Sequence, residues 1–243
     1  MQHKTQGIVL KQIKYGEKSV IVTIYTQHFG RQTYMVKGIR SKTGKIKPAL
    51  LQALTLLDME VYHHPKRELQ NIKELSLAVP LYGLTSDIYK NTIAQFLADV
   101  LYKVLREEEE NIALFKFVKE NILLLDDAKN GISDFHIHFL VHLTKHLGFF
   151  FNTNYTENSF FDLKEGSFSP NLPTHSYYLD KEYTYALNFF VENDTYIIGQ
   201  NSLILNSFIR NTLIEKLLDY YQLHLEGIGT IKSFAVLQEL FRN

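Results

Sequence analysis

Residues 6–36 read QGIVLKQIKYGEKSVIVTIYTQHFGRQTYMV, and this stretch decides the fold of the first part of the chain. Three runs in it, Gln6–Lys14, Ser19–Thr26 and Gln32–Val36, are rich in β-branched and aromatic residues, which favour strands. Turn-forming sequences separate the runs at Tyr15–Lys18 and His28–Arg31. The stretch therefore predicts a meander of three strands.

Two more β-prone runs follow, Thr55–Tyr62 and Leu69–Leu75, with the turn-like sequence His63–Lys66 between them. Five short strands in so few residues indicate a small closed barrel, and among such barrels the OB-fold is a frequent binder of nucleic acids. We therefore predict an OB-fold barrel over residues 1–80. Residues 37–47 are polar, basic and interrupted by two glycines, so we expect a surface loop there.

Near Pro80 the spacing of apolar residues changes from two to about 3.6, which indicates helices. The first predicted helix has Ser86 as its N-cap and runs to Leu105, and the acidic run Glu107–Glu110 is expected to leave it for solvent. A second helix is predicted at 111–125. A third begins at Ser133 as N-cap and is closed by Gly148, and helical spacing returns at 183–190, 203–223 and 233–241.

Residues 149–183 have no clear period, and we expect an irregular insert there. Within it, Phe160–Phe168 is expected to form either a short hairpin or an irregular segment. The whole chain is therefore predicted to be an α+β protein of two domains. These are the OB-fold barrel at 1–80 and a mostly α-helical domain at 81–243.

The formal net charge of zero hides a segregation of charge along the chain. Residues 1–50 hold ten Lys and Arg and a single acid, Glu17, a balance of +9. Residues 81–243 hold 13 Lys and Arg against 21 Asp and Glu, a balance of −8. Such asymmetry indicates a basic module for a polyanion joined to an acidic body. The alternative is a solvated basic face with no partner.

Single-stranded nucleic acid is bound where Lys and Arg neutralise phosphates and aromatic rings stack on bases. The first fifty residues contain both types, although each ring could instead fill the barrel core. Charge alone does not separate DNA from RNA, or single strands from duplexes. The candidate binding residues are Lys11, Lys14, Tyr15, Arg31, Tyr34, Lys37, Arg40, Lys42, Lys45 and Lys47.

The sequence excludes several kinds of chemistry. It has no cysteine, hence no disulfide, thiolate zinc site or cysteine nucleophile. It has no phosphate loop, GxGxxG, HExxH or GxSxG motif. The sequence has no apolar run of membrane length, and its polar first residues lead us to expect no signal peptide. We expect a cytoplasmic protein that binds its partners rather than catalysing a reaction.

A possible metal site is formed by His138, His142 and His146, which lie four residues apart on one helical face, with His136 beside them. Successive positions on that face rise about 6 Å, so at most two of these rings could share one ion. Packed histidines are the favoured interpretation. A metal-dependent hydrolase using this face remains an alternative.

Several motifs, in their order and spacing, resemble those of the RecO family of bacterial recombination mediators, which are DNA repair proteins. In the second domain they are Leu143-x-x-x-Leu147-Gly148-Phe149 and Ser233-x-x-x-Leu237. In the first they are Gly7-Ile8-Val9-Leu10, Tyr15-Gly16-Glu17, Thr26-x-x-x-Gly30-Arg31, Val36-Lys37-Gly38-Ile39-Arg40 and Leu77-Ala78-Val79-Pro80-Leu81.

The resemblance implies an OB-fold that binds single- and double-stranded DNA, and a helical domain that meets other repair proteins. It implies annealing of strands coated with single-stranded DNA-binding protein (SSB) and, with RecR, assistance in loading RecA, at the bacterial nucleoid. Residues around Arg31, Lys37 and Arg40 would contact phosphates. An RNA-binding OB-fold protein is the alternative.

Many members of that family also carry four zinc-binding cysteines after the Leu-Gly-Phe step. This chain has Asn152, Asn154 and Ser159 in that region, so we expect no zinc and no other cofactor. The insert should then be held by packing. A basic site for the acidic SSB tail would have to come from elsewhere, and the candidates are Lys116, Lys119 and Lys145.

Overall fold

The computed structural model describes residues 1–17, 19–39, 46–196, 203 and 205–242. The chain folds as two compact units, Met1–Asp127 with Ile231–Ser233, and Ala128–Thr230 with Phe234–Asn243. The first unit contains the predicted barrel and the helices that follow it. The domain boundary at residue 80 stays a prediction.

Five strands form a closed barrel in the first unit, in the order β1-β2-β3-β5-β4. Neighbouring strands are antiparallel except β3 and β5, which are parallel. This confirms the predicted OB-like barrel and the α+β class. The strands are β1 Gln2–Tyr15, β2 Ser19–Thr26, β3 Gly30–Lys37, β4 Leu56–Tyr62 and β5 Leu69–Leu77.

Strand β1 pairs with both of its neighbours along different parts of its length. Gln2–Ile8 lies beside β4, and Gly7–Tyr15 lies beside β2. The register shifts between Val9 and Lys11, and such a bulge bends a strand and increases its twist. From Lys11 onward every residue of β1 is exposed. The end of β1 therefore extends past β4 as a hairpin with β2.

Side chains alternate between the inside and the outside of the barrel, as the geometry of strands requires. Tyr34 and Val36 of β3 point into the core, with Val22 and Ile24 of β2 beside them. Gly7 faces this core where a Cβ atom would lie 2.6 Å from Ile24 and from Met59. The barrel interior is thus filled, and ligands must bind outside it.

Three helices complete the first unit: α1 Tyr82–Ser86, α2 Ile88–Val104 and α3 Ile112–Asp127. A short 3-10 helix, Pro48–Leu51, precedes β4. The N-cap of α2 is Asp87, whose carboxylate accepts the backbone N–H groups of Tyr89 and Lys90. Ser86 was the wrong prediction for this cap, because it ends α1 and its hydroxyl donates to the carbonyl of Tyr82.

The second unit combines helices with a small sheet. Strands β6 Phe160–Asp162, β7 Ser167–Ser169 and β8 Tyr178–Leu179 form the sheet in the order β7-β6-β8. Strands β6 and β7 are antiparallel, which favours the hairpin over the irregular segment as the form of this region. The N-cap of α4 is Asp134 rather than Ser133, and α4 ends at Gly148, whose φ of 84° confirms the predicted left-handed cap. The helices are α4 Phe135–Leu147, α5 Lys181–Glu192, α6 Ser207–His224 and α7 Ser233–Leu240.

Aromatic rings pack the sheet of the second unit. The ring of Phe151 stacks on Tyr220 at 4.8 Å, and Phe161 meets Phe168 edge to face at 5.1 Å. The hydroxyl of Tyr220 donates to the carbonyl of Phe149 at 2.8 Å. These contacts hold the sheet against α6 and the chain that follows α4. Among the helices that the structure describes, none is long and apolar enough to cross a membrane.

Candidate nucleic-acid interface

The outer side of β1, β2 and β3 carries nine side chains in three cross-strand rows, which we name the strand platform. The first row is Lys11–Thr23–Thr33, the second is Ile13–Ile21–Met35, and the third is Tyr15–Ser19–Lys37. Thr23 is buried, whereas Ile13 and Tyr15 are 51% and 54% exposed. The second and third rows, nearest the hairpin turn, are thus the accessible part of the platform.

Lysines surround this accessible part. Lys37 lies in the third row, Lys14 projects from the other side of the hairpin, and both are exposed. Lys11 lies 4.2 Å from the ring centroid of Tyr102, and Lys47 is exposed beside the 3-10 helix. Within the described ranges, none of these four ammonium groups makes an ion pair with a carboxylate. They are therefore available to neutralise phosphates.

Arg31 has a different environment. Its guanidinium donates to the carbonyls of Tyr102 and Leu105 at 3.1 and 3.2 Å and lies 4.6 Å from the centre of the Tyr102 ring. These carbonyls belong to the C-terminal end of α2, where the helix dipole is negative. The guanidinium thus joins the barrel to α2. Its predicted phosphate contact stays a prediction, and a phosphate would have to compete with two carbonyls.

The predicted aromatic contact of Tyr34 needs a correction. Its side chain is 0% exposed in the barrel core, so no base can stack on it without opening the barrel. Tyr15, with the same predicted role, is accessible at the end of the hairpin. Three other predicted residues, Arg40, Lys42 and Lys45, lie outside the described residues.

The acidic run Glu107–Glu110 lies against the turn between β2 and β3. Its side chains are exposed, as predicted, but the N–H of Arg31 donates to the carbonyl of Glu107 at 2.9 Å. At Gly30 a Cβ atom would lie 2.3 Å from that carbonyl oxygen, and the φ of 56° also favours glycine. His28 Nδ1 lies 2.6 Å from a carboxylate oxygen of Glu110. Carboxylates therefore border this end of the barrel.

The outer side of β4 and β5 has matched charges. Lys73 forms an ion pair with Glu60 at 3.2 Å, which holds the pKa of Glu60 below its usual value. Asp58 accepts a hydrogen bond from Gln6 at 2.9 Å, and Lys119 donates to the same Gln6 side chain at 2.8 Å. A polyanion would meet compensated charge here.

The histidine face of α4 is buried. His138 Nε2 lies 3.1 Å from the carbonyl oxygen of Asn193, and His142 Nε2 lies 3.0 Å from that of Phe190 and 3.1 Å from that of Asn193. Their rings are 4.1 Å apart. Burial lowers the pKa of His138 to about 3 and also lowers the pKa of His142. The two rings are neutral groups that hold the end of α5.

The hydrolase alternative has no ligand set in this region. Among the described residues, no group of three or more His, Asp or Glu side chains is arranged to hold a metal ion. Three histidines on one straight helical face could not surround an ion in any case. The favoured interpretation, packed histidines, describes the contacts of His138 and His142.

Two parts of the interface had not been identified in the sequence. The aliphatic row Ile13–Ile21–Met35 follows from strand alternation, because the residues before and after each of the three face the opposite side of the sheet. Tyr102, whose ring lies beside Lys11 and Arg31, has no comparable signal. Its position depends on how α2 packs on the barrel.

A closed five-stranded barrel with an unpaired basic surface, followed by helices, is typical of OB-fold proteins that bind nucleic acids. Residues 1–80 match the family model described as recombination protein O N terminal, and residues 85–233 match recombination protein O C terminal. The chain therefore belongs to the recombination protein O family, a family of DNA repair proteins. The resemblance found in the motifs is confirmed.

The sequences of individual relatives align with this chain over their full length. The DNA repair protein RecO of Phocaeicola vulgatus is 36% identical, and the alignment covers 99% of this chain and all of the relative. The proteins of the same name from Flavobacterium psychrophilum and Azobacteroides pseudotrichonymphae are 36% and 30% identical, again over 99% of this chain and 100% of theirs. None of these names describes a catalytic reaction.

Proposed function

We propose that this protein binds single- and double-stranded DNA through the accessible part of the strand platform and the lysines around it. The observation that carries the proposal is the set of exposed, unpaired ammonium groups of Lys14, Lys37 and Lys47, with Lys11 at the border. Each neutralised phosphate releases counterions, which makes binding favourable and salt-dependent. The loop residues Arg40, Lys42 and Lys45 extend the same basic stretch in the sequence.

We further propose that the bound strands are annealed. On this view the protein brings together complementary strands coated with SSB and, with RecR, assists the loading of RecA in the bacterial cytoplasm at the nucleoid. The family membership supports a role in DNA repair, and a basic face that contacts phosphates of any sequence suits annealing. Base pairing then supplies the specificity.

The three candidate lysines for SSB binding differ in the contacts that an acidic tail would have to displace. Lys145 forms an ion pair with Asp194 at 2.5 Å, and Lys116 forms one with Glu120 at 3.7 Å. Lys119 donates to Gln6. An acidic tail would have to displace a carboxylate from Lys145 or Lys116, so Lys119 needs the least rearrangement of the three.

The test of DNA binding is a triple variant, Lys11→Gln, Lys14→Gln and Lys37→Gln, in the full-length protein. Removing three phosphate contacts should lower the slope of log K against log salt by about 2 to 3 units. The matched control is Lys4→Gln, Lys66→Gln and Arg67→Gln, which removes the same charge from exposed positions outside the three rows of the platform. Equal slopes for the two variants would contradict the proposal.

Annealing is tested separately with complementary strands coated by the cognate SSB. The wild-type protein should accelerate duplex formation, the platform variant should not, and the control variant should behave like the wild type. Competition with an RNA oligonucleotide of the same sequence decides between nucleic acids. RNA that displaces DNA at lower concentration would favour the RNA-binding alternative.

A further inference from the structure

We propose that the aliphatic row Ile13–Ile21–Met35 receives unstacked bases, so that the platform distinguishes single-stranded DNA from duplex DNA. This inference rests on the proposed DNA binding and adds to it the state of the strand that is recognised. It starts from apolar side chains on the side of the sheet that faces solvent. The solvent side of an antiparallel sheet is ordinarily polar, yet the middle row is apolar across β1, β2 and β3 and meets a polar residue, Asn71, only on β5.

The row is also accessible. Ile13 is 51% exposed, and Ile21 and Met35 are partly exposed on the neighbouring strands. Side chains directly opposite one another in a sheet have Cβ atoms about 4.5 to 5.5 Å apart, so the three form one continuous strip across β1, β2 and β3. A continuous apolar strip on the surface marks a contact site.

The residues on either side of the row indicate the chemistry of the ligand that binds there. The flanking rows hold only hydroxyl groups and lysines, apart from the ring of Tyr15, and the lysines Lys11 and Lys37 stand at opposite corners. No carboxylate of the described residues pairs with either lysine. A single strand of DNA presents both apolar base faces and phosphates, and it fits an apolar strip between ammonium groups.

Tyr15 extends the strip toward the turn. Its partner across the hairpin is Ser19, a small residue, and its side chain is 54% exposed. Gly16, with a φ of 67°, begins the turn directly after it. One side of the ring is therefore not covered by a large cross-strand neighbour, and it offers a stacking surface next to Ile13.

Duplex DNA cannot use the row in the same way. Its bases are paired and stacked, and only their edges are open in the grooves, so a flat sheet meets mainly phosphates. A duplex should thus contact the lysines and leave the aliphatic row unused. Single strands gain both kinds of contact.

The experiment uses the full-length double variant Ile13→Thr with Tyr15→Thr, since threonine keeps the preference for strands. Dissociation constants are measured for oligothymidylate and for a blunt duplex of the same length, over a series of salt concentrations. Contacts between bases and these side chains strengthen the binding of single strands, so the affinity for oligothymidylate should fall at least about tenfold. The affinity for the duplex should change less than twofold, and both salt slopes should stay the same.

Two further variants guard against a folding defect. Ile88→Thr with Ile112→Thr removes two isoleucines of α2 and α3 that are 63% and 55% exposed, and should leave both affinities unchanged. Ile13→Phe enlarges the stacking surface and should raise the affinity for oligothymidylate alone, a gain that misfolding does not produce.

The outcomes separate the two proposals. If neutralising Lys11, Lys14 and Lys37 leaves DNA binding intact, the proposed function fails. A second outcome is that the lysines matter while Ile13→Thr with Tyr15→Thr lowers the affinity for both DNAs equally, or for neither. In that case the proposed DNA binding stands, and the proposal that the row distinguishes single strands from duplexes is overturned. Unchanged DNA affinities with loss of SSB or RecR binding would assign the row to a protein partner, which also overturns it.

Discussion

The lysines around the strand platform and the histidines of α4 are both clusters of ionisable groups that a sequence singles out as candidate sites. In the structure they are opposites. Lys14 and Lys37 are exposed and have no carboxylate partner within the described residues, whereas His138 and His142 are buried against backbone carbonyls. Burial, rather than residue type or spacing, decides which cluster can bind a ligand.

The difference has an energetic basis. An exposed ammonium group keeps its charge, and a phosphate replaces only water and counterions. A buried imidazole loses its charge because desolvation penalises the protonated form. Burial accordingly lowers the pKa of His136 and of His138 to about 3 from an ordinary value of 6.5. The histidine cluster therefore serves stability, and its response to pH can be measured.

The largest expected effect is acid destabilisation by these histidines. Their pKa values are lower in the folded chain than in the unfolded chain, so stability is complete above pH 6.5 and falls as the pH drops toward 3. At pH 5 each ring should cost about 2 kcal/mol relative to pH 7.5. Urea denaturation of the protein at both pH values, followed by circular dichroism, measures this loss.

His138→Gln isolates the contribution of one ring. Its amide can still donate to the carbonyl of Asn193 but does not titrate, so the loss of stability at pH 5 should be smaller by about 2 kcal/mol. An unaltered pH dependence in His138→Gln would show that the buried ring is not its source.

The second effect concerns Arg31, a cation with the sequence signature of the platform but with carbonyl partners. Arg31→Gln should lower the free energy of unfolding by about 1 to 3 kcal/mol, because hydrogen bonds to a charged group are lost at the end of α2. The salt slope of DNA binding should stay the same. Lys37→Gln is the matched control. It should lower the salt slope of DNA binding and leave the free energy of unfolding unchanged.

The result for Arg31 also decides the contact implied by the family resemblance. A fall in the salt slope of about 0.7 to 0.9 unit with unchanged stability would place a phosphate on Arg31. Arg31 would then be a phosphate-binding residue like the exposed lysines. The conclusion that its hydrogen bonds to carbonyls exclude it from DNA binding would be wrong.

The smallest effect is expected on the outer side of β4 and β5. Glu60→Gln removes the carboxylate that pairs with Lys73 and should raise the affinity for duplex DNA less than about threefold at low salt, since a single charge near the surface contributes little. A rise comparable to the loss in the platform triple variant would mean that this side also binds DNA. The binding surface would then surround the barrel.

The sequence predicted the elements better than the contacts between them. Strand β2 has the predicted bounds, and the hairpin of β6 and β7 lies where it was expected. Two helix caps were wrong by one residue, because the true caps, Asp87 and Asp134, follow a serine that is also a good cap residue. Neighbouring candidates of equal propensity cannot be ranked without the geometry of the turn.

Tyr34 and Arg31 show two different limits of prediction from the candidate site. The error for Tyr34 was avoidable, since Arg31, Thr33, Met35 and Lys37 alternate with it and leave it on the inner side. The environment of Arg31 could not be derived, because its carbonyl partners lie 71 and 74 residues further along the chain. Contacts between distant residues depend on packing, which local patterns do not specify.

The parallel pairing of β3 with β5 has a consequence for where the barrel opens locally. Only Thr33–Met35 lies beside Leu69–Asn71, the shortest pairing among the described strands of the barrel. Amide protons at this seam should exchange with solvent before those of β1 and β2, since local opening follows the least protected hydrogen bonds. All nine residues of the strand platform lie on β1, β2 and β3, on one side of the seam. A barrel that opens there keeps the platform in register.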